Sequence, residues 1–426
     1  MKRIWSVATA ALMTATGIAA CVTLTGCGDT GYSKEGRLAV WVGEELEELF
    51  LEIGKDYEAE TGLPVVIKTY TGLTASDKLA LDGPFGKGGD IYMQGGGGDL
   101  AKAVEQGLFM EVPKDEMELE TKFISGAQEL MQYQGKLYGV PLGTEVNVLY
   151  YNKDILPEFP EEWTWEDMME YALSYNNFGD DVSTKEEKFG LLIDYSNPYY
   201  TWAINEAFGG YIFGKDADGN YVPTDLGIDN DGSIAAMQYI KDMIVNKVIP
   251  ENMNSSVCQS KFMSGKAAIM LDGSWSLANF RKAGINVGVA KLPEIQISET
   301  ETGTPRVFAG GYGLAISAFT VNPEESKDFL KFATQDKYVF EYYQITGRVP
   351  STVGCSENEE VLADDCLVGF YAQAVDSYPQ PPINELNAVW DPLTAASVAI
   401  FTNDEDIATV MHKIKQDILA NIELLG

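Results

Sequence analysis

The sequence predicts an α/β protein of two lobes joined by chain crossings, and three observations carry that expectation. Near the amino end, short apolar strands alternate with amphipathic helices over residues 37–42, 44–61, 64–70, 76–81 and 90–94. Alternation at that spacing builds a largely parallel sheet flanked by helices. The chain has 426 residues with 45% hydrophobic content, enough for two or three domains with sizeable cores. Residues 139–154 read G-V-P-L-G-T-E-V-N-V-L-Y-Y-N-K-D. This stretch opens on Gly and Pro, runs apolar and β-branched from Val146 to Tyr151, and ends in a polar turn. It reads as a strand that leaves one lobe, passes a hinge and enters the second, with Glu145 at the mouth of the cleft between them.

Taken in order, residues 37–42 (R-L-A-V-W-V) form a buried-type strand in which Trp41 belongs to the core. Residues 44–61 are helical, with Leu46, Leu49, Phe50, Ile53 and Tyr57 on one face and Gly62 closing the helix. Residues 90–94 (D-I-Y-M-Q) are a strand running into the glycines 95–98. A phosphate loop needs G-x-x-x-x-G-K-[ST], and no such string occurs. The glycines instead suit a tight strand-to-helix turn at the sheet's carboxyl edge. Ligands of open α/β sheets bind at that edge, so Gln94 is a candidate ligand residue.

Thr164 is an expected N-cap for the helix that follows. Residues 189–193 are a strand, and Tyr199 to Trp202 open a helix ending at Gly209. Gly219-Asn220 between two aromatic runs signals a hairpin. Asp216-x-Asp218-Gly219 has two acids before its Gly and lacks the calcium-loop Glu, so no metal is expected. Residues 232–248 are a helix with Ile234, Met237, Ile240, Ile244 and Val248 on one face. Residues 262–273 give a helix end, a turn and a strand, followed at once by Ser274-Trp275-Ser276. Residues 285–289 and 308–317 are strands, and 324–334 are helical. Gly347-Arg348-Val349-Pro350 is a second crossing, and residues 364–425 are mostly helical with a break at 378–382.

The formal charge of −34 repels nucleic acid and anionic membrane surfaces, which excludes a phosphate-backbone partner. Residues 1–26 have a basic start and an apolar, Ala/Thr-rich run, the pattern of an export signal. Leu24-Thr25-Gly26-Cys27 resembles the lipobox of bacterial lipoproteins, which implies lipidation at Cys27 and a tether over 27–36. Cys21 would leave with the signal. Cys258, Cys355 and Cys366 remain, and Cys355 and Cys366 are close enough to pair, though nothing requires it. With no Cys-x-x-Cys and one histidine, His412, on a terminal helix, no zinc, redox site or cofactor is expected.

Several strings together resemble the extracellular solute-binding proteins of ABC importers, maltose- and maltodextrin-binding type. They are E-V-N-V-L-Y-Y-N-K-D from Glu145, N-P-Y-Y-T-W from Asn197, F-G-G-Y from Phe208 and G-I-D-N-D-G from Gly227. F-M-S-G-K-A-A-I-M-L-D-G-S-W from Phe262, V-G-V-A-K-L-P from Val287 and G-R-V-P-S from Gly347 complete the set. They keep the family's order across nearly the whole chain. The resemblance implies the two-lobed periplasmic-binding-protein fold, with discontinuous lobes of residues 37–143 plus 314–346 and 144–313 plus 347–426. It implies hinge closure on a sugar. It also implies a monomeric receptor on the outer face of the cell membrane that serves ABC permease subunits.

Carried over position by position, Trp275 matches a stacking tryptophan and Tyr199 a stacking tyrosine, with Trp202 one helical turn below. Glu145 matches a hydroxyl-binding acid and Trp390 a late stacking tryptophan. Glu44 falls near the first lobe's polar ligand residues. Gln94 stands where the family carries a tryptophan, with glycines beyond it, which leaves the sugar's identity and length open. The chemistry suits a pyranose, whose apolar C–H faces want flat rings and whose hydroxyl rim wants acids and amides.

A secreted glycoside hydrolase is the competing reading, with Glu145 and Asp272 as its carboxylates at ~5 Å or ~6.5–9.5 Å separation. No triad string or metal motif supports it, so an enzyme is not expected. A structural surface lipoprotein is the third reading.

Overall fold

The computed structural model describes residues 31–70 and 75–425. The leader 1–26, Cys27 and the first part of the expected tether lie outside them. Residues 31–36, the rest of that tether, are docked on the first sheet. The Trp41 indole donates to the Gly31 carbonyl at 2.6 Å, and the Ser33 amide donates to the Gly88 carbonyl at 2.6 Å. Among the described residues no helix is long and apolar enough to cross a membrane.

Two sheets carry the architecture. The first has, in spatial order, Val349–Pro350, Gly139–Glu145, Val307–Ile316, Ile91–Gly95, Leu38–Gly43 and Val65–Tyr70, with Ser377–Pro379 beside the start of Val307–Ile316. The three amino-terminal strands are parallel, as their alternation with helices predicts. Val307–Ile316 runs antiparallel to Gly139–Glu145 and Ile91–Gly95 and parallel to Ser377–Pro379, so the sheet is mixed. The second sheet orders Val287–Ala290, Asn147–Asn152, Ala267–Gly273 and Phe189–Ile193.

Stretch 139–154 is two strands rather than one. Gly139–Glu145 lies in the first sheet and Asn147–Asn152 in the second, with Val146 alone between them. Core membership changes at the same point: Leu142 packs in one apolar cluster and Val146 in another. Two further crossings follow, along Val307–Ile316 and at Tyr342–Tyr343. A third cluster, around Trp202, Phe308 and Leu393, packs the carboxyl-terminal helices.

Local signals act where the sequence placed them. Thr164 caps Trp165–Tyr175 in a reciprocal capping box with Asp167. Gly62 ends Glu47–Thr61 in the left-handed conformation, φ 76°. The hairpin forms between Phe213–Lys215 and Tyr221–Leu226, and Asp216 accepts from the Asp218 and Asn220 amides in its turn. Cys258, Cys355 and Cys366 are buried free thiols.

Candidate functional site

Glu145 closes its strand at the point where the chain leaves the first sheet. Arg348 follows Gly347, which takes φ 73° to end helix Asp336–Thr346. The two crossings therefore deliver an acid and a base to one place, and the Arg348 Nε donates to Glu145 Oε1 at 2.5 Å. Both side chains are mostly buried, at 14% and 13% exposed. The guanidinium also lies 4.8 Å from the centre of the Tyr312 ring. Such a desolvated, hydrogen-bonded pair fixes the carboxylate in place.

Three rings gather beside this pair. Asn197 caps helix Pro198–Ala207 by accepting from the Tyr199 amide at 3.0 Å, and Pro198 occupies the first helical turn. Tyr199 is thereby held at the helix start, and the Asn147 side chain donates to its carbonyl at 3.0 Å. Trp275 sits in the short 3-10 turn Ser274–Ser276 directly after strand Ala267–Gly273. Its indole folds over Gly273, where a Cβ would meet the ring at 2.1 Å, so the Gly-x-Trp spacing has a steric cause. Trp390 opens helix Trp390–Phe401. The Tyr199 ring centre is 6.1 Å from that of Trp275 and 6.0 Å from that of Trp390.

A cavity of about 390 Å³ is lined by Glu145, Tyr199, Trp275, Arg348, Tyr312, Asp99, Gln380 and the glycines 95–97 and 310–311, among others. A second cavity of about 310 Å³ shares Gly95, Asp99, Tyr312 and Arg348, and adds Gln94 and Glu45. A shallower hollow joins Tyr199 and Gln380 to Trp390 and Thr394. The site is built from both sheets and from the helical carboxyl-terminal part.

Two expected residues lie elsewhere. Trp202 is 2% exposed, stacks on Phe308 at 5.9 Å and donates its indole N–H to the Tyr378 hydroxyl at 2.8 Å. It is a core residue behind the rings, because its helix is buried on nearly every side. Glu44 is exposed on the 3-10 turn Glu44–Leu46 and lines none of these cavities, whereas its neighbour Glu45 does. Gln94 is 5% exposed and donates to the Gly95 carbonyl at 3.1 Å.

Four lining residues escaped sequence reasoning as site residues: Arg348, Gln380, Asp99 and Tyr312. Arg348 lies in the G-R-V-P crossing, and Gln380 in the helix break at 378–382. Residues 377–379 pair with Val307–Ala309, which brings Gln380 to the Tyr199 hydroxyl. Asp99 follows the glycine turn. Both signals marked a chain crossing or a break without naming the side chain that would reach the cleft.

Burial and then the Glu145 charge push the Tyr199 hydroxyl well up, and push Tyr312 up to about 12, so both stay neutral donors. The surrounding protein wall also raises Asp99. Asp272 is 0% exposed, outside the cavity lining, and its carboxylate already accepts from the Gln259 side chain and the Gly273 amide. Among the described residues, Asp364, Asp365 and Cys366 bring metal-type donor atoms within 4.8 Å of one another. Asp364 is bonded to Arg281 and Tyr343 and Asp365 to Lys153, so those acids are already engaged.

Residues 52–367 match the family described as bacterial extracellular solute-binding protein. The chain is 29% identical over 395 residues to the galactooligosaccharide-binding protein of Bacillus subtilis (strain 168), covering 91% of this chain and 90% of that one. It is 31% identical over 379 residues to a maltooligosaccharide ABC transporter solute-binding lipoprotein of Streptococcus pneumoniae (strain ATCC BAA-255 / R6), covering 85% and 84%. The crystal structure of a cyclo/maltodextrin-binding protein complexed with maltotetraose superposes with a TM-score of 0.81 at 26% identity, covering 91% of this chain and 98% of that one. The two-lobed periplasmic-binding-protein fold is thus common to this chain and that receptor, and with three quarters of its length matched, the chain belongs to the bacterial extracellular solute-binding protein family.

Proposed function

We propose that this chain captures a maltooligosaccharide in the cleft and delivers it, chemically unchanged, to an ABC permease. The convergence of Trp275 and Tyr199 on one cavity walled by Glu145, with Trp390 in the hollow that adjoins it at Tyr199 and Gln380, carries the reading. The rings stack on pyranose faces, and Glu145, Asp99 and Gln380 bond the hydroxyl rim. Gln94 faces the same cleft from the first sheet's edge. Covering ~100 Å² of sugar face at ~25 cal/mol/Å² contributes ~2.5 kcal/mol per ring. A hydroxyl bonded to an ionised acid adds ~1.5–3 kcal/mol. Two or three stacks with a few such bonds outweigh the cost of association and reach micromolar affinity, about −8 kcal/mol.

The lobes span residues 37–143 plus 314–346 and 144–313 plus 347–426, and they close over the sugar by hinge motion. The protein acts as a monomer anchored through Cys27 to the outer face of the cell membrane. A Cys27→Ser variant that stays membrane-bound would remove the lipid anchor from this account.

The second reading is a galactooligosaccharide ligand. It is favoured by the glycine bed 95–97, which lacks a ring platform on the first sheet's edge, and by the relative that carries that name. Calorimetry against maltotetraose, cyclomaltodextrin and galactooligosaccharides decides between them. Chromatography of the recovered maltotetraose tests the hydrolase alternative: shortened products would overturn the receptor reading.

A further inference from the structure

We infer that Asp272 is a positioning residue, which sets the placement of the Trp275 and Tyr199 rings through one buried hydrogen-bond network and so couples ligand affinity to its own charge. The ligand half of this inference rests on the oligosaccharide reading above.

Asp272 is the penultimate residue of strand Ala267–Gly273 and is 0% exposed. Its carboxylate accepts the Gly273 amide at 2.7 Å and the Gln259 side-chain amide at 3.0 Å, and the Ser276 and Tyr200 hydroxyls lie near enough to favour its charged form. Ser276 is the residue after Trp275, and Tyr200 is the residue after Tyr199. One carboxylate therefore stands against the chain neighbour of each ring. Gln259, on helix Ser255–Met263, also donates to the Ser276 hydroxyl at 3.2 Å. The Tyr200 ring lies 6.2 Å from Trp275 and 6.1 Å from Tyr199.

The network has a second anchor. Asp194, 4% exposed, accepts the Ser255 amide at 2.8 Å, the Ser196 amide at 2.9 Å and the Asn197 amide at 3.2 Å. It fixes the turn that leads into Tyr199. The Tyr150 hydroxyl donates to the Gly273 carbonyl at 2.9 Å, which braces the turn that carries Trp275.

Ionised, Asp272 offers acceptor sites to every donor around it. Protonated, one oxygen becomes a donor, and at least one of Gln259, Ser276 and Tyr200 loses its acceptor inside the protein. An orphaned buried donor is costly, so the turn or the helix start shifts to relieve it. The titratable groups facing Asp272 are Tyr150, Tyr200 and Cys258. Burial raises Tyr150, Tyr200 and Cys258 far above neutrality, so they keep their protons throughout. Burial pushes Asp272 itself up to about 6, against the opposing pull of the Gly273 amide and the Ser276, Gln259 and Tyr200 side chains.

The test uses the intact protein and two readouts. In the first, the near-ultraviolet circular dichroism of Trp275, obtained by subtracting a Trp275→Phe variant, is titrated from pH 4.5 to 8. The band should titrate near pH 6 in the native sequence and stay flat in Asp272→Asn. Tyr200→Phe, which removes one donor and leaves the ring, should move the midpoint up by roughly one pH unit, as a charged group does when it loses a donor. In the second, maltotetraose affinity should be about tenfold weaker at pH 5 than at pH 7.5, a loss of preorganisation. The difference between the native and Asp272→Asn profiles should carry that titration. A Trp275 band that titrates equally in Asp272→Asn, or a Tyr200→Phe midpoint that does not move, overturns the positioning role whatever the ligand. If the band behaves as expected but maltotetraose does not bind the native protein, the ligand reading falls and the positioning role stands.

Discussion

Trp275 and Trp202 lie in strings of the same aromatic character, yet their surroundings assign them different work. Trp275 is part-exposed on the cavity wall, so Trp275→Ala should weaken maltotetraose binding by ~2–4 kcal/mol in calorimetry while the melting temperature barely moves. Trp202 is sealed behind Phe308, so Trp202→Ala should lower the urea-unfolding free energy by ~3–5 kcal/mol. Asp272 makes a pH prediction. Its folded pKa of about 6 lies above the ordinary ~3.9, so its contribution to stability is full below pH ~4 and is lost as pH rises through about 6. That loss amounts to ~2–3 kcal/mol for a shift of about two units. The Asp272→Asn variant should therefore gain stability relative to the native protein between pH 4 and 7. Paired thermal melts across that range check it, and a gap that narrows with rising pH would contradict it.

At the scale of elements, strand Val307–Ile316 joins the two halves of the site. Its Gly310 pairs with Glu145, and a Cβ there would stand 3.4 Å from the Tyr199 hydroxyl, 3.6 Å from Gln380 and 3.9 Å from Glu145. These are ordinary contact distances, so Gly310→Ala should leave folding intact. The added methyl occupies the space a sugar hydroxyl would use, and calorimetry should show affinity reduced by at least ~1.4 kcal/mol, or tenfold. Most elements were legible in the sequence, because capping residues and periodicity are local signals. The helix at Tyr199 was legible as a helix, but its buried side was not. Residues 198–207 are apolar or buried almost all round, so no stripe separates Tyr199 from Trp202. The single strand read over 139–154 is two strands because Val146 lies between them, and alternation of side chains cannot reveal a change of sheet.

For the whole molecule, a ligand that binds only the folded cleft stabilises it by mass action. At a maltotetraose concentration one hundred times Kd the gain is ~2.7 kcal/mol, a rise of about 5 °C in melting temperature. Differential scanning fluorimetry measures it, and a melting temperature that no oligosaccharide moves would sink the receptor reading. The cleft is rich in acids, with Asp99, Glu129 and Glu145 against Arg348. The cation is already engaged by Glu145, which suits neutral hydroxylated ligands better than anions.

Composition, capping signals and the Gly-x-Trp and Asn-Pro-Tyr strings determined, without coordinates, the α/β class, the strand and helix order, and two of the site's rings. Chain folding alone decided that Glu145 meets Arg348 across 203 positions, that Gln380 reaches Tyr199, and that Glu45 rather than Glu44 lines the cleft. Helical and strand periodicity encode which face of an element is apolar. They carry no information about which distant element packs on that face, and that packing is what assembles a cleft from three crossings.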